Sequence, residues 1–152
     1  MSASAHMDLL LVEDNATDLE LTQRVLERNG FAGRFVAMKD GAEALDYIFQ
    51  TGAYAPPNHS DAPKVVFLDL KLPKVSGMEV LRRLKADPRT HNWPVVILTS
   101  SQQDRDIAEA YALGANGYIV KPIDFTRFSH VIGEMSRYWL LQNQPPDSHL
   151  GA

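Results

Sequence analysis

Five times along this chain a short aliphatic run is followed by a longer stretch with helical spacing, and this alternation restricts the fold more than any other feature. The runs lie at residues 8–12, 34–38, 64–69, 94–98 and 117–120, each read as a strand, the first of them buried on both faces. The helical stretches cover 16–29, 41–50, 77–86, 103–113, and from the cap Asp124 to about Gln142. Asn15 is placed to cap the first helix, Gly30 and Gly114 to end the first and fourth, and Asp87-Pro88 to stop the third. Residues 51–63, with three prolines and a glycine, predict a long loop. Strict β–α alternation predicts an α/β domain with a mostly parallel sheet, helices on both faces and right-handed crossovers.

A chain of 152 residues suits one domain, here residues 8–142, with 1–7 as an unstructured leader and 143–152 as a flexible tail. The absence of cysteine removes disulfides, thiolate metal sites and cysteine nucleophiles. A net charge of −4 without a basic block argues against nucleic acid as the partner. No apolar run approaches the ~18 residues of a membrane span, so no membrane partner is expected. Residues 1–7 have neither the basic nor the apolar region of a signal peptide, so a cytoplasmic protein is expected. The five histidines make no ligand spacing.

In sheets of this kind ligands gather at the carboxyl ends of the strands. There the sequence places Glu13-Asp14, Asp69, Thr99 and Lys121, each directly after an aliphatic run. A single such Asp is ordinarily a cap or turn former. Three carboxylates converging on one edge need a cation, and an all-oxygen set without His or Cys suits Mg²⁺ or Mn²⁺. Lys121 adds a second positive charge and Thr99 a hydroxyl. Together these are the parts of a phosphoryl-transfer site, with Asp69 as the carboxylate nucleophile.

These residues resemble the motifs of two-component response-regulator receiver domains, the CheY-like family. The matching segments are Leu10-Leu-Val-Glu-Asp-Asn15, Val66-Phe-Leu-Asp-Leu-Lys-Leu-Pro73 with Gly77, Val96-Ile-Leu-Thr-Ser100 and Gly117-Tyr-Ile-Val-Lys-Pro122. The likeness runs from about Met7 to about Gln142. It implies a flavodoxin-like, doubly wound (βα)5 fold with strand order 2-1-3-4-5. It also implies Asp69 as phosphoacceptor from a sensor histidine kinase, and Mg²⁺ held by Asp14, Asp69, Glu13 through water, and the Lys71 backbone carbonyl. Thr99 and Lys121 would hold phosphoryl oxygens, and Thr99 with Tyr118 would form the switch that reports phosphorylation. The Lys71 side chain stands where chemotaxis-type members often carry Asn, and either reaches the phosphoryl group or faces solvent. Lys85-Ala-Asp-Pro88, Thr99-Ser-Ser101 and Tyr138-Trp139 resemble the stand-alone regulators paired with phytochrome kinases, which implies a phytochrome-type partner.

The expected role is a signalling phosphoacceptor that at most assists its own phosphorylation and dephosphorylation. A haloacid-dehalogenase-type phosphatase is the enzyme alternative, disfavoured because it needs an Asp where Lys71 stands. A flavodoxin-type electron carrier would meet Glu13-Asp14 where its phosphate belongs. A degenerate receiver acting only as a binding module is disfavoured by the complete residue set. In the last helix, Phe125, Phe128, Val131, Ile132 and Met135 predict one buried stripe. Tyr138-Trp-Leu-Leu141 then spans about 400° of helix, so some of it must face outward. A homodimer on the last helix and fifth strand is expected, with Tyr118, Tyr138 and Trp139 in its interface.

Overall fold

Leu9, Leu10, Leu11 and Val12 are all buried, and so are Val65, Val66, Phe67 and Leu68. Strands apolar at consecutive positions need a cover on each face, and the helices between them supply it. The computed structural model describes residues 7–55 and 62–146. In chain order the elements are β1 (Leu9–Val12), α1 (Ala16–Arg28), β2 (Phe35–Met38), α2 (Gly41–Phe49), β3 (Val65–Leu68), α3 (Gly77–Ala86), β4 (Val95–Thr99), α4 (Asp104–Ala112), β5 (Gly117–Val120) and α5 (Phe125–Arg137). All strand pairs are parallel, in the expected order β2-β1-β3-β4-β5.

The period of two divides the core cleanly. Leu10, Val12, Val66, Leu68, Val95 and Ile97 pack with Leu45, Ile48, Val80, Leu81, Leu84 and Ala110, so α2, α3 and α4 cover one face. Leu9, Leu11, Val65, Phe67 and Val96 pack with Leu19, Leu26 and Met135, while Leu98 packs with Leu21, Val25, Phe128 and Ile132. The other face therefore belongs to α1 and α5.

Capping follows the sequence. Asn15 Oδ1 accepts from Asp18 N, Asp40 from Glu43 N, Ser76 from Glu79 N and Asp124 from Thr126 N, each satisfying a helix-terminal donor. The Lys85 ammonium, at the end of α3, donates to the carbonyls of His91 and Trp93 and to Asn116 Oδ1. It thereby ties the α3–β4 turn to the start of β5, and its burial lowers its pKa to about 8.

Four expectations need correction. Met7, placed with the leader, is buried in the core. Residues 52–54 of the expected loop form a short 3-10 turn, where Tyr54 donates to Glu43. Phe125 is 64% exposed rather than part of the buried stripe, because it occupies the first turn after the Asp124 cap, ahead of the residues that lie over the sheet. The last helix does not continue as an α-helix to Gln142. Tyr138–Gln142 is a wider π turn, closed by Asn143 N on the Tyr138 carbonyl at 2.8 Å. Leu140 is buried, Trp139 packs partly against the α1/α5 face, and Tyr138 and Leu141 remain more than half exposed. Residues 1–6, Pro56-Pro57, His59 and the tail from 147 onward lie outside the described residues.

Candidate functional site

Val12 and Leu68 face each other across β1 and β3, so the residues that follow them, Glu13 and Asp69, emerge side by side. Carboxylate oxygens of Glu13, Asp14 and Asp69 lie within 4.8 Å of one another. Glu13 and Asp69 are buried, whereas Asp14 faces solvent.

Lys121, directly after β5, answers part of this charge. Its Nζ donates to Glu13 Oε1 at 2.6 Å, Asp69 Oδ2 at 2.8 Å and Asp18 Oδ2 at 2.9 Å. Burial alone would depress the lysine, but the bonds to Asp69 and Glu13 outweigh it and hold the ammonium above its usual pKa. Burial, reinforced by the Asp69 charge, raises Glu13 to about 7 against the pull of Lys121. Backbone donors orient the acids: Asn15 N–H reaches Glu13 Oε2 at 3.0 Å, and Lys71 N–H reaches Asp69 Oδ1 at 3.1 Å.

This oxygen-only cluster, two-thirds of it buried and open to solvent at Asp14, fits a hard divalent cation. Residual negative charge supports the same reading. Glu13, Asp69 and Asp18 bond the Lys121 ammonium, and Asp14 beside them adds a fourth carboxylate. The Lys71 side chain is exposed, and its peptide N–H rather than its ammonium contacts Asp69.

Thr99 ends β4 fully buried, and its carbonyl accepts from Lys121 N at 2.7 Å, so it stands beside the lysine across the sheet. Its Oγ1 accepts from Ser101 N at 3.5 Å. Ser101 extends the connection: its Oγ donates to Asp106 Oδ2 at 2.5 Å, and its carbonyl accepts from the Tyr118 hydroxyl at 2.9 Å. Thr99, Ser101, Asp106 and Tyr118 thus form one chain of contacts from the site toward α4 and β5. The structure brings Glu13, Asp14, Asp69, Thr99 and Lys121 to one edge and leaves Tyr138 and Trp139 at the far end of α5.

Two members of this arrangement were not found by reading the sequence. Asp106 lies in the acidic first turn of α4, where negative charge is ordinary. Asp18 stands three after the cap Asn15, the spacing of a capping box. Asn15 N–H goes instead to Glu13, which frees the Asp18 carboxylate for Lys121.

Comparison with known proteins agrees with this geometry. Residues 9–132 match the response regulator receiver domain family. The chain is 41% identical over 138 residues to the "Probable methanogenesis regulatory protein FilR2" of Methanothrix harundinacea, covering 91% of this chain and 86% of that protein. It is 33% identical to the response regulator Rcp1 of Synechocystis sp., covering 87% and 88%. The Mn²⁺-bound structure of Rcp1 superimposes with a TM-score of 0.86 at 32% identity, covering 93% and 99%. The phosphorylated cyanobacterial phytochrome response regulator RcpA does so at 0.86 and 36%, covering 94% and 100%.

Proposed function

The chain belongs to the response regulator receiver domain family and is a phosphoacceptor of two-component signalling, and from that premise we propose that Asp69 is the residue that takes the phosphoryl group. The observation that carries this reading is the Asp69 carboxylate, buried at the end of β3, bonded to Lys121 Nζ and clustered with Glu13 and Asp14. The N–P bond of a kinase phosphohistidine breaks, its electron pair stays on the imidazole, and an Asp69 oxygen forms the new P–O bond. Lys121 gives up Asp69 Oδ2 and follows the charge onto the phosphoryl oxygens, with the Thr99 hydroxyl as a second donor. Mg²⁺ or Mn²⁺ held by Glu13, Asp14, Asp69 and the Lys71 carbonyl would neutralise charge developing on those oxygens. Labelling by acetyl phosphate, with and without Mg²⁺, tests this chemistry. Incorporation that is independent of divalent cation would overturn the metal assignment.

Turnover of phosphomonoesters is not favoured, because exposed Lys71 stands where that class carries its second Asp. The kinase partner we infer is of the phytochrome type, supported by the likeness to RcpA. Phosphotransfer to this chain from a phytochrome kinase, faster than from unrelated histidine kinases, is the result expected. No helix among the described residues is long and apolar enough to cross a membrane, and the proposed setting is the cytoplasm.

The switch runs through Thr99 and Tyr118, with Ser101 between them. Thr99→Ala is expected to take up phosphate but to lose the accompanying change at Tyr118, read as a ring chemical shift. A shift equal to that of the wild type would remove Thr99 from the path. A homodimer is proposed at the outward-facing Tyr138 and Leu141, with Tyr118 at the margin and Trp139, turned partly inward, supporting Tyr138 edge-on at 5.1 Å. Light scattering at tens of micromolar is expected to give a dimer for the wild type and a monomer for Tyr138→Ala; a monomeric wild type would refute the interface.

A further inference from the structure

Of the three carboxylates bonded to Lys121 Nζ, two belong to the cluster that fits the metal and one does not. Glu13 and Asp69 are shared between the ammonium and the cation site. Asp18 is outside that cluster, in the first turn of α1, and its carboxylate is 30% exposed. A divalent cation entering among Glu13, Asp14 and Asp69 competes with Lys121 for the same carboxylates and repels its charge. The ammonium side chain is only 9% exposed, so water cannot fully replace what it loses. Asp18 is the partner that remains.

We propose that Asp18 is a positioning residue that takes over Lys121 when the cation binds, so that metal entry does not leave a buried ammonium unpaired. The inference rests on the metal reading above and assigns a role to a residue outside the ligand set. The first turn of α1 suits the task, because its free N–H groups favour a carboxylate there. The capping duty that would otherwise occupy Asp18 is relieved by the Asn15–Glu13 bond.

The test measures Mg²⁺ affinity by calorimetry in the unphosphorylated protein, with Asp18→Asn as the principal variant. If the wild type binds no Mg²⁺, the metal reading itself fails. Given binding, Asp18→Asn is expected to weaken it about fivefold, the size of a pairwise coupling between contacting charges, and Asp18→Glu to restore much of it. In a Lys121→Met background the same change should cost about twofold or less, the effect of a screened distant charge. Unchanged affinity for Asp18→Asn, or an equal loss in both backgrounds, overturns the proposal. A second readout needs no variant. The ¹⁵N signal of the Lys121 ammonium should stay protected from solvent exchange after Mg²⁺ is added to the wild type. Its disappearance on adding Mg²⁺ would show that Asp18 does not hold the lysine.

Discussion

Asp69→Asn is expected to take up no phosphoryl group: with acetyl phosphate and Mg²⁺ its intact mass should stay unchanged, while the wild type should gain one hydroxylamine-labile phosphoryl. The amide is nearly isosteric, so the fold survives, and Lys121 keeps Glu13 and Asp18 as partners. What disappears is the anionic oxygen proposed to attack phosphorus. Asp14→Ala should retain Asp69 and still lose labelling by about 10²-fold, because the proposed solvent-facing ligand of the cation would be gone. Labelling of Asp69→Asn at the wild-type rate would remove Asp69 from the chemistry and leave the cluster as a metal site alone.

The strand-end acids were legible because a polar residue directly after a fully buried aliphatic run has only one place to go, the sheet edge. Parallel register then brings such residues together without further information, as Val12 opposite Leu68 shows. Asp18 was hidden for the opposite reason. Its local spacing already had an explanation, and its partner lies 103 positions away. Phe125 misled because the three-and-four spacing marks a helix face but not where the sheet beneath it begins. The π turn has no signature in the run Tyr138-Trp-Leu-Leu141. It exists because Leu140 and Trp139 gain burial by turning inward, while the Leu140 carbonyl accepts from Lys64 Nζ at 3.1 Å. The division of the core follows from the period of two along each strand, which sends neighbouring apolar residues to opposite faces.

Gly77→Ala is expected to damage both stability and the site. A Cβ at this position would lie 1.9 Å from the Asp69 carbonyl oxygen and 2.6 Å from Leu70 Cα, both backbone atoms that cannot swing aside. Gly77 N–H also donates to the Leu70 carbonyl at 2.8 Å, fixing the start of α3 against the end of β3. Relief requires α3 and the Asp69 peptide to separate. We expect a loss of about 3 kcal/mol or more, lowering the thermal midpoint by about 6–12 °C. Displacement of Asp69 should also slow labelling about tenfold at temperatures where the variant remains folded. A melting curve superimposable on that of the wild type would show that the close approach is relaxed in solution.

The Lys64–Leu140 bond also has a practical consequence. Lys64 precedes β3 and Asp69 follows it, so the π turn is anchored at the pole opposite the acid cluster. The 13 residues of α5 span the intervening distance, about 20 Å at 1.5 Å per residue. A probe attached near Tyr138 therefore lies far from the acid cluster and borders the proposed homodimer contact, so its signal would also report association. Because the chain contains no cysteine, Gln142→Cys creates a unique thiol at an exposed position for maleimide labelling. A fluorophore there would record events at one end of the molecule while chemistry proceeds at the other.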